Sequence, residues 1–213
     1  MFSLLPRGLK KVLCLGAHCD DIELGCGGTL LRLINEYPDI EVHWVVFSST
    51  PRRANEARQS ASKFLQDVQE KNIVIKEFKN SFFPYSGAQI KEYFEQLKGG
   101  VAPDVVFTHF RGDLHQDHRV ISDLTWNSFR NHLIFEYEIL KYDGDLGQPN
   151  VFVPLPEELW RKKIKYILDC FDSQKDKQWF TQDAFQSLMR LRGVESNAPS
   201  GYAEAFFCRK ITI

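Results

Sequence analysis

Short apolar runs alternate with helical patterns through the first two thirds of the chain, and this alternation restricts the fold more than any other feature. Residues 12–16, 42–48, 73–78 and 105–108 are short, apolar or β-branched, and bounded by polar residues, as strands are. Between them, residues 29–36 carry Leu30, Leu31, Leu33 and Ile34. Residues 54–70 carry Ala57, Ala61, Phe64, Leu65 and Val68, and residues 89–98 carry Ile90, Tyr93, Phe94 and Leu97. These spacings fit half-buried helices. The alternation predicts an α/β fold, a Rossmann-like three-layer sandwich with a mostly parallel sheet flanked by helices. Ligands of such sheets sit beyond the carboxyl ends of the strands, at a topological switch point.

The pattern loosens after residue 118. Residues 120–130 read as a helix and 133–140 as a strand. Residues 142–156 hold three Gly/Pro-rich breaks and fit either a substrate loop or short antiparallel strands. Residues 159–171 and 184–191 read as helices, and 203–212 as a final strand. No linker or repeat interrupts the chain. Its 213 residues are read as a single domain spanning 1–213, with 17 Phe available to the core.

Composition removes several function classes. The net charge is −1 with no long run of one sign, which argues against nucleic acid as a partner. No stretch approaches the ~20 apolar residues of a transmembrane segment. The N-terminus lacks a signal-peptide pattern, so the expected location is cytoplasmic. The five cysteines (Cys14, Cys19, Cys26, Cys170 and Cys208) form no CxxC pair, so thiolate zinc and thioredoxin chemistry are not expected. All but Cys19 sit in apolar or helical context and read as reduced core residues.

Two histidine–carboxylate clusters carry the chemistry. Ala17-His18-Cys19-Asp20-Asp21 follows the first strand, and His115-Gln116-Asp117-His118 follows the strand ending at His109. Neutral imidazoles and carboxylates are ligands for a borderline divalent metal. A metal held by three side chains keeps a position for water. A carboxylate beside the ligands, and not itself one, can accept a proton. The competing structural role for Asp20 or Asp21 is helix capping. His115 and His118 share a face if a helix begins there. Asp117 either orients an imidazole or caps that helix. Asp113 is read as structural. His109 stands as near the site as a ligand and as plausibly a satisfied structural histidine. His43 and His132 are read as structural.

Two further motifs invite chemistry. Gly25-Cys26-Gly27-Gly28 resembles a dinucleotide loop, but Leu30 stands where the third glycine belongs and no acidic residue ends the second strand. The glycines are instead expected to permit a tight loop and close helix packing. In Arg52-Arg53-Ala54-Asn55-Glu56, Arg53 is the candidate to pin a substrate group with its planar fork, against a solvated helix start.

These residues resemble the PIG-L/LmbE-like zinc-dependent de-N-acetylases. The family's AHPDD and GxGG stand as residues 17–21 and 25–28, its RxxE as residues 53–56, and its HxDH as residues 115–118. Tyr202-Ala-Glu-Ala-Phe206 is similar to its closing strand. The resemblance implies one zinc per chain on His18, Asp21 and His118, with Asp20 as general base. His115 would act at the oxyanion or leaving amine, and Asp117 would support an imidazole. The implied reaction removes the acetyl or acyl group from an N-acetylglucosamine-type amino sugar or its conjugate, in an enzyme free to be a homo-oligomer. An amidase on another N-acyl conjugate is the nearest alternative. A metal phosphoesterase and a non-catalytic sugar-binding protein stand further off. Cys19 departs from the family's proline, which puts the loop geometry and its oxidation sensitivity in question.

Overall fold

The computed structural model describes residues 8–211. Seven strands form one sheet: β1 (Lys11–Gly16), β2 (Glu41–Val46), β3 (Lys71–Ile75), β4 (Val105–His109), β5 (Leu133–Tyr137), β6 (Val151–Pro154) and β7 (Ala203–Phe207). Six α-helices pack on it: α1 (Asp21–Glu36), α2 (Pro51–Phe64), α3 (Gly87–Gly100), α4 (Gln116–Ser128), α5 (Glu157–Cys170) and α6 (Gln182–Glu195). The strand order is β3-β2-β1-β4-β5-β7-β6. The first five strands run parallel, and β7 pairs antiparallel with both β5 and β6. Of the two expectations for residues 142–156, the antiparallel strand is realised as β6. The final strand stops at Phe207, and Thr212, the end of the expected strand, lies outside the described residues.

Alternation along β1 divides the core into two layers. Val12 and Cys14 join one cluster, with Leu30, Ala57, Phe64 and Ile164 of α1, α2 and α5. Leu13 and Leu15 join the other, with Ile90, Phe94 and Ile121 of α3 and α4. Successive strand residues face opposite sides, so an apolar run covered on both faces is what a central parallel strand requires. From Val12 onward β1 is buried on both faces. The order reverses between β1 and β4, and both histidine–carboxylate clusters leave the sheet at that switch.

α1 differs most from its sequence pattern; β3 also ends at Ile75 rather than Phe78, β5 at Tyr137 rather than Leu140, and α2 at Phe64, short of Val68. Residues 25–28 form no loop; they lie inside α1, which begins at Asp21. Glycine costs about 1 kcal/mol against alanine within a helix, and packing explains its presence here. A Cβ on Gly25 would stand 2.1 Å from the Tyr137 ring, and one on Gly28 would stand 2.5 Å from Leu155. The close helix packing expected of these glycines is observed; the tight loop is not.

Candidate active site

The β1–α1 and β4–α4 connections bring three ring or carboxylate atoms to one point. His18 Nδ1 lies 3.1 Å from His118 Nε2 and 3.3 Å from Asp21 Oδ2, and His118 Nε2 lies 3.5 Å from Asp21 Oδ2. Tetrahedral zinc with bonds of about 2.0–2.1 Å holds its ligand atoms roughly 3.3 Å apart. The donor set and its spacing therefore fit a divalent metal. The outward nitrogens of both imidazoles meet carboxylates: His18 Nε2 is 3.3 Å from Asp117 Oδ2, and His118 Nδ1 is 2.8 Å from Asp113 Oδ2. Such contacts fix which ring nitrogen presents its lone pair inward.

Electrostatics separates the two histidines. Burial, reinforced by neighbouring His109, pushes the His118 imidazole down to about 3. It is neutral at pH 7, and its Nε2 lone pair faces His18 Nδ1 at 3.1 Å. For His18, burial opposes charge, but the Asp21, Asp117 and Asp20 carboxylates outweigh it and raise the imidazole to about 10. Asp21 is held well below the usual carboxylate range: burial opposes this, and His118, His109 and His18 overcome it.

Asp20 is the N-cap residue of α1, yet its side chain makes no capping bond. Its Oδ1 instead accepts from Arg53 Nη2 at 2.6 Å. Arg53 lies in the first turn of α2, where Pro51 is the first helical residue and Thr50 supplies the cap. His115 is the N-cap of α4, its Nδ1 accepting from the Asp117 amide at 3.2 Å. The His115 ring stacks on His118 at 4.6 Å and meets His18 edge-on at 4.8 Å. Nitrogens of these three rings lie within 4.8 Å of one another. Burial and the neighbouring His18 charge hold His115 below the usual histidine value. Asp117 does not cap α4. Its carboxylate accepts from the Ser81 and Phe83 amides at 2.6 and 3.2 Å and so pins the segment before α3 against His18. Ser81 has a left-handed φ of 64°, a strained conformation for a side chain larger than glycine.

Three residues gain a place that the sequence did not assign. Asp113, read as structural, hydrogen-bonds His118 and pairs with Lys141 Nζ at 3.0 Å. Its position five residues before His118 was the one available signal. His109 is fully buried, its Nε2 lying 3.2 Å from Asp21 Oδ2 and 2.9 Å from the Ala17 amide. Its ring stacks on His118 at 3.9 Å. Glu56, the last residue of the Arg53–Glu56 motif, accepts from Ser173 N at 2.9 Å and ties α2 to the turn after α5. Cys19 is buried, its thiol donating to the Ser48 carbonyl at 3.3 Å. Burial pushes that thiol up to about 12, so it is a structural tether with little thiolate to oxidise.

A cleft of about 340 Å³ opens over the site. His18, Asp20, Asp21, Arg53, His115 and His118 all line it. A doubly wound sheet with histidines and a carboxylate gathered at its switch point defines an α/β protein whose cleft holds a donor set that fits a metal. Residues 13–129 match the PIG-L family, described as GlcNAc-PI de-N-acetylase, and the chain belongs to that deacetylase family. No curated protein matches the sequence. Among solved structures, the N,N'-diacetylchitobiose deacetylase from Pyrococcus horikoshii is 21% identical with a TM-score of 0.69, covering 94% of this chain and 84% of its own. The zinc-inhibited form of teicoplanin deacetylase Orf2 is 14% identical with a TM-score of 0.72, covering 93% and 97%. The 4-carboxy-2-hydroxymuconate hydratase GalB from Pseudomonas putida KT2440 is 15% identical, also with a TM-score of 0.72, covering 96% and 98%. The last of these is a hydratase, so the shared fold does not settle the reaction. Among the described residues no helix is long and apolar enough to cross a membrane.

Proposed function

We propose that this protein is a zinc-dependent amidohydrolase that removes the acetyl or acyl group from an amino sugar or its conjugate. The observation that carries the proposal is the triangle of His18 Nδ1, Asp21 Oδ2 and His118 Nε2, with edges of 3.1–3.5 Å, beside a carboxylate outside it. These three residues hold one zinc per chain. When bound, zinc supplies Lewis-acid polarisation of the amide carbonyl and lowers the pKa of water toward neutrality.

The remaining chemistry belongs to the protein. Asp20 accepts the proton of the attacking water, and Arg53 holds that carboxylate in place through its 2.6 Å ion pair. The remaining nitrogens of the Arg53 fork reach the substrate. As water adds to the carbonyl carbon, charge develops on its oxygen, where His115 donates a hydrogen bond. The C–N bond then breaks, and the leaving amine takes the proton that Asp20 accepted from water, which returns Asp20 to its carboxylate form. Asp117 keeps the His18 ring in register through its far nitrogen, 3.3 Å away. The whole chain works as one domain.

Zinc content and acetate release from a panel of N-acetyl amino sugars test the proposal together. Wild-type protein is expected to hold about one zinc and to release acetate and amine in equal amounts. His18→Ala and His118→Ala are expected to lose both. Full zinc occupancy in both variants would sink the ligand assignment. A zinc-loaded wild type that hydrolyses no amide in the panel would sink the reaction.

A further inference from the structure

The segment between α5 and α6 forms one wall of the cleft, through Gln174, Lys177 and Trp179. Gln174 is 3% exposed. Its amide has one allowed orientation. The Ser173 hydroxyl donates its single proton to Glu56 Oε2, so it can only accept from Gln174 Nε2, at 2.9 Å. Gln174 Oε1 is left buried, and among the described residues no donor reaches it. Arg53, on the same cleft, has the complementary defect: its Nε–H is buried without an acceptor. A buried polar group left unpaired costs roughly 1–3 kcal/mol. Both groups gain that energy back when a ligand supplies the missing partner.

Aromatic surface accompanies these groups. Trp179 is half-buried and held edge-on by Phe180 and Phe185 at 5.7 and 6.5 Å. Tyr142, from the segment after β5, lines the same cleft at 70% exposure. An aromatic face carries negative quadrupole charge and attracts the polarised C–H groups of a sugar ring. A free acceptor, a free N–H and two aromatic faces are the recognition set of a molecule with ring C–H groups and hydroxyls.

From this we infer that the wall formed by Gln174 and Trp179 is a subsite for a second sugar ring, beyond the ring that carries the acyl group. Gln174 Oε1 accepts a hydrogen bond from a hydroxyl of that ring, and the Trp179 face packs on its C–H face. The inference rests on the amino-sugar reading above. Glu56 has a defined part in it: by holding Ser173 it sets the orientation of the Gln174 amide. Binding energy gathered at such a remote ring can be used at the reacting centre.

The test compares N-acetylglucosamine with N,N'-diacetylchitobiose on zinc-loaded wild type, Gln174→Leu, Trp179→Ala and Trp179→Phe. Wild type is expected to favour the disaccharide at least tenfold in kcat/KM. Gln174→Leu and Trp179→Ala should each lower kcat/KM for the disaccharide about tenfold more than for the monosaccharide, chiefly through KM. Trp179→Phe should retain most of the preference, and melting temperatures should move by only a few degrees. A purely structural Gln174 would lower the melting temperature and leave the substrate preference intact. No preference in wild type, or equal losses on both sugars, overturns the inference. If neither sugar is hydrolysed, the deacetylase reading fails separately, and titration calorimetry with N,N'-diacetylchitobiose decides the subsite. Binding at least tenfold weaker in both Gln174→Leu and Trp179→Ala supports it; no binding to wild type, or equal binding, overturns it.

Discussion

Glu204 on β7 and Asp21 on α1 are both buried carboxylates, and they are satisfied in opposite ways. Glu204 accepts from Lys163 Nζ at 2.7 Å and from the Gly28 and Thr29 amides at 2.8 and 2.6 Å. Lys163 also donates to the Leu24 carbonyl at 2.7 Å. Each Glu204 oxygen has a donor, and its charge is paired with a lysine. Asp21 Oδ2 accepts from the His18 amide at 2.6 Å and then faces ring nitrogens of His18, His109 and His118 at 3.3, 3.2 and 3.5 Å. His118 is neutral at pH 7, and its outward nitrogen is occupied by Asp113. The His118 lone pair and the Asp21 carboxylate therefore converge on the protonated His18 ring, whose proton a metal ion would displace. A carboxylate paired with a lysine ties elements of the fold together; a carboxylate facing several imidazoles is a donor set that fits a cation.

The largest expected effect lies at the site. Asp20→Asn is expected to lower kcat by roughly 10²–10⁴-fold, the scale for a positioned proton acceptor, with zinc content unchanged. Zinc loss in that variant would move Asp20 among the ligands and blur the distinction between ligand and base. Steady-state kinetics with elemental analysis decides it.

Lys163→Met probes the structural cluster. It leaves Glu204 buried without its cation, which costs about 3–5 kcal/mol. Urea unfolding should show that loss while zinc content stays constant. A fall in zinc with little loss of stability would erase the contrast between the two clusters.

Asp113→Ala should act in the reverse sense. Loss of a carboxylate behind a metal-bound imidazole weakens metal affinity about 10–100-fold. Chelator competition should report that weakening, with a smaller fall in stability than Lys163→Met produces. Unchanged metal affinity would place Asp113 with the structural carboxylates.

The smallest effect per step is in pH. A proton and a metal ion compete for the same lone pair on His18. Its folded value, about 10, lies above the ordinary 6.5. In metal-free protein its charge therefore contributes stability fully below pH 6.5, and that contribution is lost as pH rises through about 10. Metal binding must release this proton, so affinity should tighten about tenfold per pH unit from 6.5 upward. A flat affinity between pH 6.5 and 8.5 would show that His18 binds no proton in that window.

The sheet was legible because its signals are periodic and local. Short apolar runs bounded by polar residues identified β1, β2 and β4, and helical spacings of apolar residues identified α2 and α3. The start of α1 was not legible. Four residues containing three glycines weaken any helix pattern, and only the Tyr137 ring and Glu204 carboxylate, distant in sequence, show why they sit within a helix. In the same way, the two histidine–carboxylate clusters were visible because their members are neighbours along the chain. The roles of the partners were not: Asp113 was read as structural, His109 was left open between ligand and structural histidine, and Gln174 was not singled out, because each acts through a contact that the chain's spacing does not encode.

Sequence alone was enough to specify the class of fold, its switch point and the kinds of side chain gathered there. Strand and helix periods and the residue types after β1 and β4 are local properties. The tertiary structure alone decided which lone pairs meet, which carboxylate backs which imidazole, and that Arg53 turns to Asp20. It also decided that Glu204 closes onto Lys163 while Asp21 faces the imidazoles of His18, His109 and His118. Hydrogen bonding and electrostatics depend on distance and burial to within a few tenths of an ångström, and those are settled only when the elements pack.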